Sequence, residues 1–255
     1  MICRRFITLF AAMVLSMMLG YAQFLHGGSG LLQTPVAEMN PSGTFMITNC
    51  FMNAHTLPEE AWGYHSFGYG FDITFLSRIE VYYTCVILDG KRKPNPTSRD
   101  TIMFNQDRHV GVKVQLLRTG DFGWDWAPDI AVGVNDLDFN MFSRTDASNG
   151  FFTSYYAMAS KSFRSQIGTW NAHLGFQFNN RTYYSHFGPC AAVDWQPVWL
   201  QKEDLINTSF IVEYDARTLN IGAVVSFWRD HFEAMIDFQS LRWLSVGLRY
   251  KVVLK

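Results

Sequence analysis

His173 stands two residues after Asn171, and His186 directly follows Ser185. An imidazole near a hydroxyl and an acid or amide is the minimum set for activating a nucleophile in acyl chemistry. No nucleophile elbow or other catalytic signature accompanies either histidine. Single histidines and serines are common on inward strand faces, so we expect no enzyme, cofactor or metal centre. A third cluster, Asp121, Asp125 and Asp129 with Trp124 and Trp126 between them, offers carboxylates for calcium or indole faces for a sugar ring. Its spacing lacks the full calcium-loop pattern, and an exposed turn at a membrane boundary is the simpler expectation. Cys50, Cys85 and Cys190 resemble neither a disulfide framework nor a zinc site. They are expected as small apolar residues in or near strands.

Positioning any of these residues falls to β-structure. Aromatics make up 16 % of the 255 residues, with 22 Phe, while charged residues stay at 17 %. Soluble domains average about 25 % charged. Mean hydropathy is nevertheless only −0.02. Polar and apolar residues must therefore alternate at the finest scale. With 21 Lys and Arg against 22 Asp and Glu, the balance points to no nucleic acid or acidic polymer.

Period-two alternation recurs along most of the chain. Leu244, Val246, Leu248, Tyr250, Val252 and Leu254 share one phase; Trp243, Ser245, Gly247, Arg249 and Lys251 take the other. The same pattern marks 67–75, 79–87, 110–116, 170–178, 206–214 and 232–238. Weaker strands are predicted near 43–52, 129–136, 151–162, 187–195 and 218–228. About twelve strands result, with ten or fourteen as alternatives. The apolar phase is full and aromatic strand after strand. Trp62, Tyr64, Trp170, Tyr183, Tyr184, Trp195, Tyr214, Trp228 and Trp243 gather near strand ends, where barrels carry their aromatic girdles. We therefore expect an all-β, antiparallel transmembrane barrel over residues 43–255, and rank a soluble β-sandwich below it. Long polar connections near 89–106 and 137–150, against short turns such as 76–78, fit a barrel's two unlike rims.

At the N-terminus, Arg4 and Arg5 precede an apolar run from Phe6 to Leu19, shorter than the roughly 20 residues of a spanning helix. Gly20 and Ala22 provide small residues for cleavage between Ala22 and Gln23, as in a secretory signal peptide over 1–22. Cys3 precedes the apolar run and is no lipid-attachment site. Residues 23–42, punctuated by glycine and carrying Pro35 and Pro41, read as an irregular lead-in. Export and an apolar strand face together imply the outer membrane, with its lipid as partner.

If the apolar phase faces lipid, Asp72, Glu80, Lys113, His173, Glu213, Glu233, Asp237, Arg249 and Lys251 face a lumen. Their mixed signs suggest ion pairs that brace or constrict it rather than a strongly ion-selective pore. A thin channel and a sealed structural lumen are equally compatible with this set.

Particular motifs resemble the YjbH-like family of outer-membrane barrel proteins associated with exopolysaccharide production. They begin with Gly30-Leu31-Leu32-Gln33-Thr34-Pro35, then Ala37 and Met39. Asp129 to Asp136 after Pro128, Tyr155 to Lys161, Phe187-Gly188 and Val193-Asp194-Trp195 follow. Glu213-Tyr214-Asp215 and Asn220-Ile221-Gly222 complete the series in the family's order. Two departures stand out: no lipid-attachment cysteine at the signal junction, and Pro189-Cys190 after Phe187-Gly188 where Gly-Gly is usual. The chain is also short, as if it held one barrel module. The resemblance implies a non-enzymatic role in producing, exporting or secreting a surface polysaccharide, with polysaccharide and export proteins as partners. It supplies no catalytic set. The alternatives are a small porin-like diffusion channel and, less favoured, a barrel enzyme acting on lipid A or phospholipid.

Overall fold

Alternation becomes strands in a computed structural model that describes residues 26–57, 65–88, 105–137, 152–179, 185–202 and 205–254. Twelve strands follow in order: β1 (Thr44–Met52), β2 (Ser66–Phe75), β3 (Ile79–Leu88), β4 (Asn105–Leu117), β5 (Asp129–Asn135) and β6 (Ser154–Ser165). The second half holds β7 (Gly168–Phe178), β8 (Phe187–Pro197), β9 (Ile206–Tyr214), β10 (Leu219–Phe227), β11 (Phe232–Gln239) and β12 (Trp243–Val253). Each strand pairs antiparallel with its sequence neighbours. β1 also pairs with β12, from Thr44 opposite Val253 to Phe51 opposite Val246. The sheet is one closed barrel, which removes every unpaired edge and excludes a two-sheet sandwich. The expectation of about twelve antiparallel strands holds. Four of the girdle residues, Trp62, Tyr64, Tyr183 and Tyr184, lie outside the described residues, as does the expected signal segment.

The barrel is inside out relative to a soluble domain. Phe67, Phe71, Phe75, Leu174 and Phe176 stand exposed on the outer face, Leu174 by 65 %. Rings meet across strands there: Phe45 stacks on Phe71, and Phe71 on Tyr83, with centroids 6.2 and 6.4 Å apart. Inside, Glu80 and Lys113 are fully buried. The period-two pattern dictates this division, because residues i and i+2 share a face.

The rims differ. One carries the free ends of β1 and β12 and mostly short turns; in the β2–β3 turn, Leu76 and Ser77 both adopt left-handed backbone. Its tryptophans cluster: Trp170 stacks on Trp195 at 5.2 Å, Trp199 meets Trp195 edge-on, and Trp228 stacks on Phe232. The opposite rim carries the long β3–β4 and β5–β6 connections. There His55 stacks on Trp243 at 3.9 Å.

Candidate functional site

Residues 26–42 do not lead into the barrel from outside; they fill its lumen. Leu32, Thr34 and Ala37 have no exposed surface, and His26, Leu31 and Val36 are buried. The segment has almost no internal pairing apart from a Gly30–Pro35 bridge and a Leu31 N–H to Thr34 carbonyl bond of 2.9 Å. Its backbone groups must therefore find partners on the wall, since a buried unpaired amide costs about 1–3 kcal/mol.

The turn Leu31–Thr34 wraps one carboxylate. The Leu32 and Thr34 N–H groups donate to Glu213 Oε2 at 3.1 Å, and the Gln33 N–H donates to Oε1 at 2.6 Å. Asn220 Nδ2 donates to Oε1 at 3.2 Å. Gly222 makes room: a Cβ there would lie 2.8 Å from a Leu32 methyl and 2.1 Å from the Ile236 carbonyl oxygen. The motifs around Leu32, Glu213 and Asn220, far apart in sequence, thus form one joint.

A second joint lies on β3 and β4. Glu80 accepts the Ser29 N–H and hydroxyl, both at 2.5 Å, and pairs with Lys113 Nζ at 3.1 Å. Lys113 also donates to the carbonyls of Ser29 and Glu38 at 3.1 Å and contacts the Ser29 hydroxyl. Thr84 donates to the His26 carbonyl, and Gln115 to that of Ala37.

The third joint contains the first candidate histidine. His173 Nδ1 lies 2.8 Å from Ser160 Oγ and 3.5 Å from Glu38 Oε2, and its Nε2 lies 3.1 Å from Asp194 Oδ1. Asn171 and Ser209 donate to the other Asp194 oxygen at 2.8 and 3.0 Å. Serine, histidine and aspartate at such distances resemble a hydrolytic relay. Here, however, Ser160 Oγ accepts the Ala37 N–H at 2.9 Å, Ser160 is 2 % exposed, and Glu38 competes for the same ring nitrogen. In this conformation the relay grips the plug and leaves the hydroxyl no open approach. Burial works against the Glu38 carboxylate, but the neighbouring His173 ring and Ser160 hydroxyl hold it below its ordinary value.

The remaining predicted lumen residues also sit inside. Glu233 pairs with Lys251 at 2.5 Å and Arg249 at 3.3 Å. Asp237 accepts Gln33 Nε2 at 3.3 Å, Arg249 reaches the Gly30 carbonyl at 3.5 Å, and Asp72 is buried on β2. His186 is brought to the long-loop end, away from His173, with its N–H on Asn179 Oδ1. Asp121, Asp125 and Asp129 are not gathered around one point. Asp121 binds Arg78 at 2.7 Å, which holds its carboxyl below the ordinary value, and Asp129 caps the Thr119 N–H. Phe122 and Trp126 are exposed by 85 and 75 %. Cys50, Cys85 and Cys190 are free thiols buried in strands. Ser160 and Asp194 appeared in the sequence only as parts of motifs. Nothing in their strand phase distinguished them from other inward polar residues.

Below the plug, toward the rim with the strand ends, a cavity of about 360 Å³ remains, lined among others by Glu38, Asn171, Asp194, Gln196, Glu233 and Lys251. It is polar and carries both charges.

The structure is similar to solved barrels at low identity. LpxR from Salmonella typhimurium is 7 % identical, with a TM-score of 0.42 and coverage of 83 % of this chain and 100 % of that one. The N-terminal β-barrel domain of Pseudomonas aeruginosa OprF is 9 % identical, with a TM-score of 0.23 and coverage of 83 and 98 %. A Rhodopseudomonas blastica porin triple mutant is 12 % identical, with a TM-score of 0.32; the match covers 73 % of this chain and 55 % of the porin. No curated protein matches the sequence. One family model, described as exopolysaccharide biosynthesis protein YbjH, matches residues 22–193, most of the chain and including the plug. The chain belongs to the YjbH family.

Proposed function

We propose that this chain is a non-enzymatic outer-membrane barrel that assists production or export of a surface exopolysaccharide, with residues 26–42 as a plug that closes its lumen at rest. The observation that carries the reading is convergence. Leu32, Ser160, Glu213 and Asn220, from motifs far apart in the chain, meet inside the lumen, and what they build is the seat of the plug. An enzyme's motifs would instead converge on an accessible nucleophile.

The membrane follows from the exterior. Burying one large apolar side chain is worth about 1.5–3 kcal/mol. The outer face exposes so many that it forms one large apolar surface, the mark of a face covered in use. Lipid would cover it and gain that burial energy. The polar cavity beside the plug supplies amide, carboxylate and ammonium groups that suit the hydroxyls of a sugar chain.

The test is complementation. Cells lacking the chain are expected to release less surface polysaccharide, with the wild type and Ser160→Ala both restoring it. Protease protection of residues 26–42, measured in the same preparations, checks that Ser160→Ala keeps its plug. Loss of polysaccharide in a folded, plugged Ser160→Ala variant would overturn the non-enzymatic reading. A passive diffusion channel predicts steady ion conductance of the wild type in planar bilayers; the plug reading predicts little until the plug is removed.

A further inference from the structure

At the long-loop end of the lumen lies a group of side chains that the plug's three joints do not use. We propose that Asp107, His109 and Asp136, joined by His26 from the plug, bind a divalent transition-metal ion of the zinc class.

Asp107 and His109 are two residues apart on β4, so both point inward in the row that continues to Lys113 and Gln115. Asp136 follows β5, the neighbour of β4, and its φ of 51° turns the chain at the strand's end. The ligand atoms of Asp107, His109 and Asp136 all lie within 4.8 Å of one another. Around one ion with metal–ligand bonds of about 2.0–2.2 Å, such atoms sit roughly 3–4.3 Å apart. Small side-chain rotations close the difference.

His26 supplies an independent indication. It is 8 % exposed, and its Nδ1 makes no hydrogen bond. Its ring centroid lies 6.0 Å from that of His109. Two imidazoles on one ion place their centroids roughly 5–6 Å apart, given metal–nitrogen bonds of about 2.0–2.1 Å. Phe152 packs beside both rings, 5.9 Å from His109 and 6.4 Å from His26, as an apolar wall. Its N–H donates to Asp136 Oδ2 at 2.8 Å, an outer contact of the kind that orients a metal-bound carboxylate. His186 stands behind, its ring 6.5 Å from His26.

Imidazole nitrogen combined with carboxylate oxygen favours zinc-class ions; calcium and magnesium prefer oxygen alone. Because His26 belongs to the plug and the other ligands to the wall, the ion would tie the plug to the barrel at the end opposite Glu38. This inference is independent of the polysaccharide reading.

The test uses the full chain without a histidine tag, stripped by a chelator and titrated with Zn²⁺ against a chromogenic competitor. One equivalent is expected to bind. His109→Ala and Asp136→Asn are expected to weaken it at least about tenfold, and His26→Ala more mildly. Asp121→Asn, at the opposite rim, leaves it unchanged. Co²⁺ in the wild type is expected to give a visible absorption band that His26→Ala shifts. Wild-type protein that takes up no Zn²⁺, or uptake equal in all these variants, would overturn the proposal. If the ligand variants do not form the barrel on unboiled gels, the wild-type Co²⁺ spectrum decides, and a missing band rejects the site.

Discussion

Two buried glutamates hold opposite sides of the plug, and they are compensated in different ways. Glu80 on β3 has a cation from the wall: Lys113 sits 3.1 Å away, and the plug adds only Ser29. Glu213 on β9 accepts three plug amides and one from Asn220, all neutral donors. If the plug left, Glu80 would keep its ion pair, whereas Glu213 would keep one amide in a neighbourhood that also contains Asp215 and Asp237. The β3–β4 side is thus a brace of the barrel to which the plug is added. The β9 side is a latch that exists only with the plug in place. A segment that must stay put needs the first arrangement; one that must come and go also needs the second.

The largest effect is expected on the brace. Lys113→Ala leaves Glu80 buried without its cation and removes two bonds to plug carbonyls. Breaking one partner of a buried pair costs about 3–5 kcal/mol, readable as an earlier urea midpoint of the refolded barrel. Glu80→Gln combined with Lys113→Met is expected to recover most of that loss, since removing both charges is often neutral. A double variant no better than Lys113→Ala would show that Glu80 depends on the plug rather than on Lys113, and the contrast with Glu213 would vanish.

Next comes the latch. Glu213→Gln keeps the shape but replaces one carboxylate oxygen with an N–H₂ donor. Each oxygen already faces N–H donors, so either orientation sets donor against donor. About 1.5–3 kcal/mol of charge-assisted bonding goes with it. The loss should fall on the plug: faster proteolysis within residues 26–42 and higher bilayer conductance, with the urea midpoint of the barrel little changed. No side-chain change on the wall can restore the plug's own bonds, because its donors are backbone amides. A variant whose plug stays protected would place the hold elsewhere, on Glu80 or His173.

The strands were legible because lipid and lumen impose opposite demands on alternate residues. From Leu244 to Lys251 the phase is nearly unbroken, and it named Arg249 as an inward residue without any structure. The plug had no comparable signal. Its partners lie 50 to 220 residues away, and it binds them chiefly through N–H and carbonyl groups that every residue possesses. Glycines and prolines between 27 and 43 marked irregular backbone but not its location. Ser160 and Asp194 were equally hidden. A hydroxyl and a carboxylate on the polar phase look alike whether they face water, a plug or a histidine. Only the Gly30–Pro35 motif carried the information, through its resemblance to a family rather than through its own chemistry.

The smallest expected effect sharpens where the latch ends. Glu38 joins the plug to His173 at 3.5 Å, with its carboxyl held below the ordinary value against the cost of burial. A carboxyl depressed in the folded state contributes fully above its unfolded value of about 4.3. That contribution is lost as pH falls through the lower, folded value. Near neutrality, Glu38→Gln should therefore loosen the plug modestly, read as an increase in bilayer conductance over wild type. As pH is lowered below about 4.3, the two proteins should converge, because protonation does to Glu38 what the substitution has already done. If instead the gap between wild type and Glu38→Gln stays constant from neutral pH to pH about 2, below the ordinary carboxylate range, the His173 contact does not hold the plug. The hold would then rest on Glu213 and Ser29, and the plug's lower end would be free to move into the cavity while its turn stayed latched.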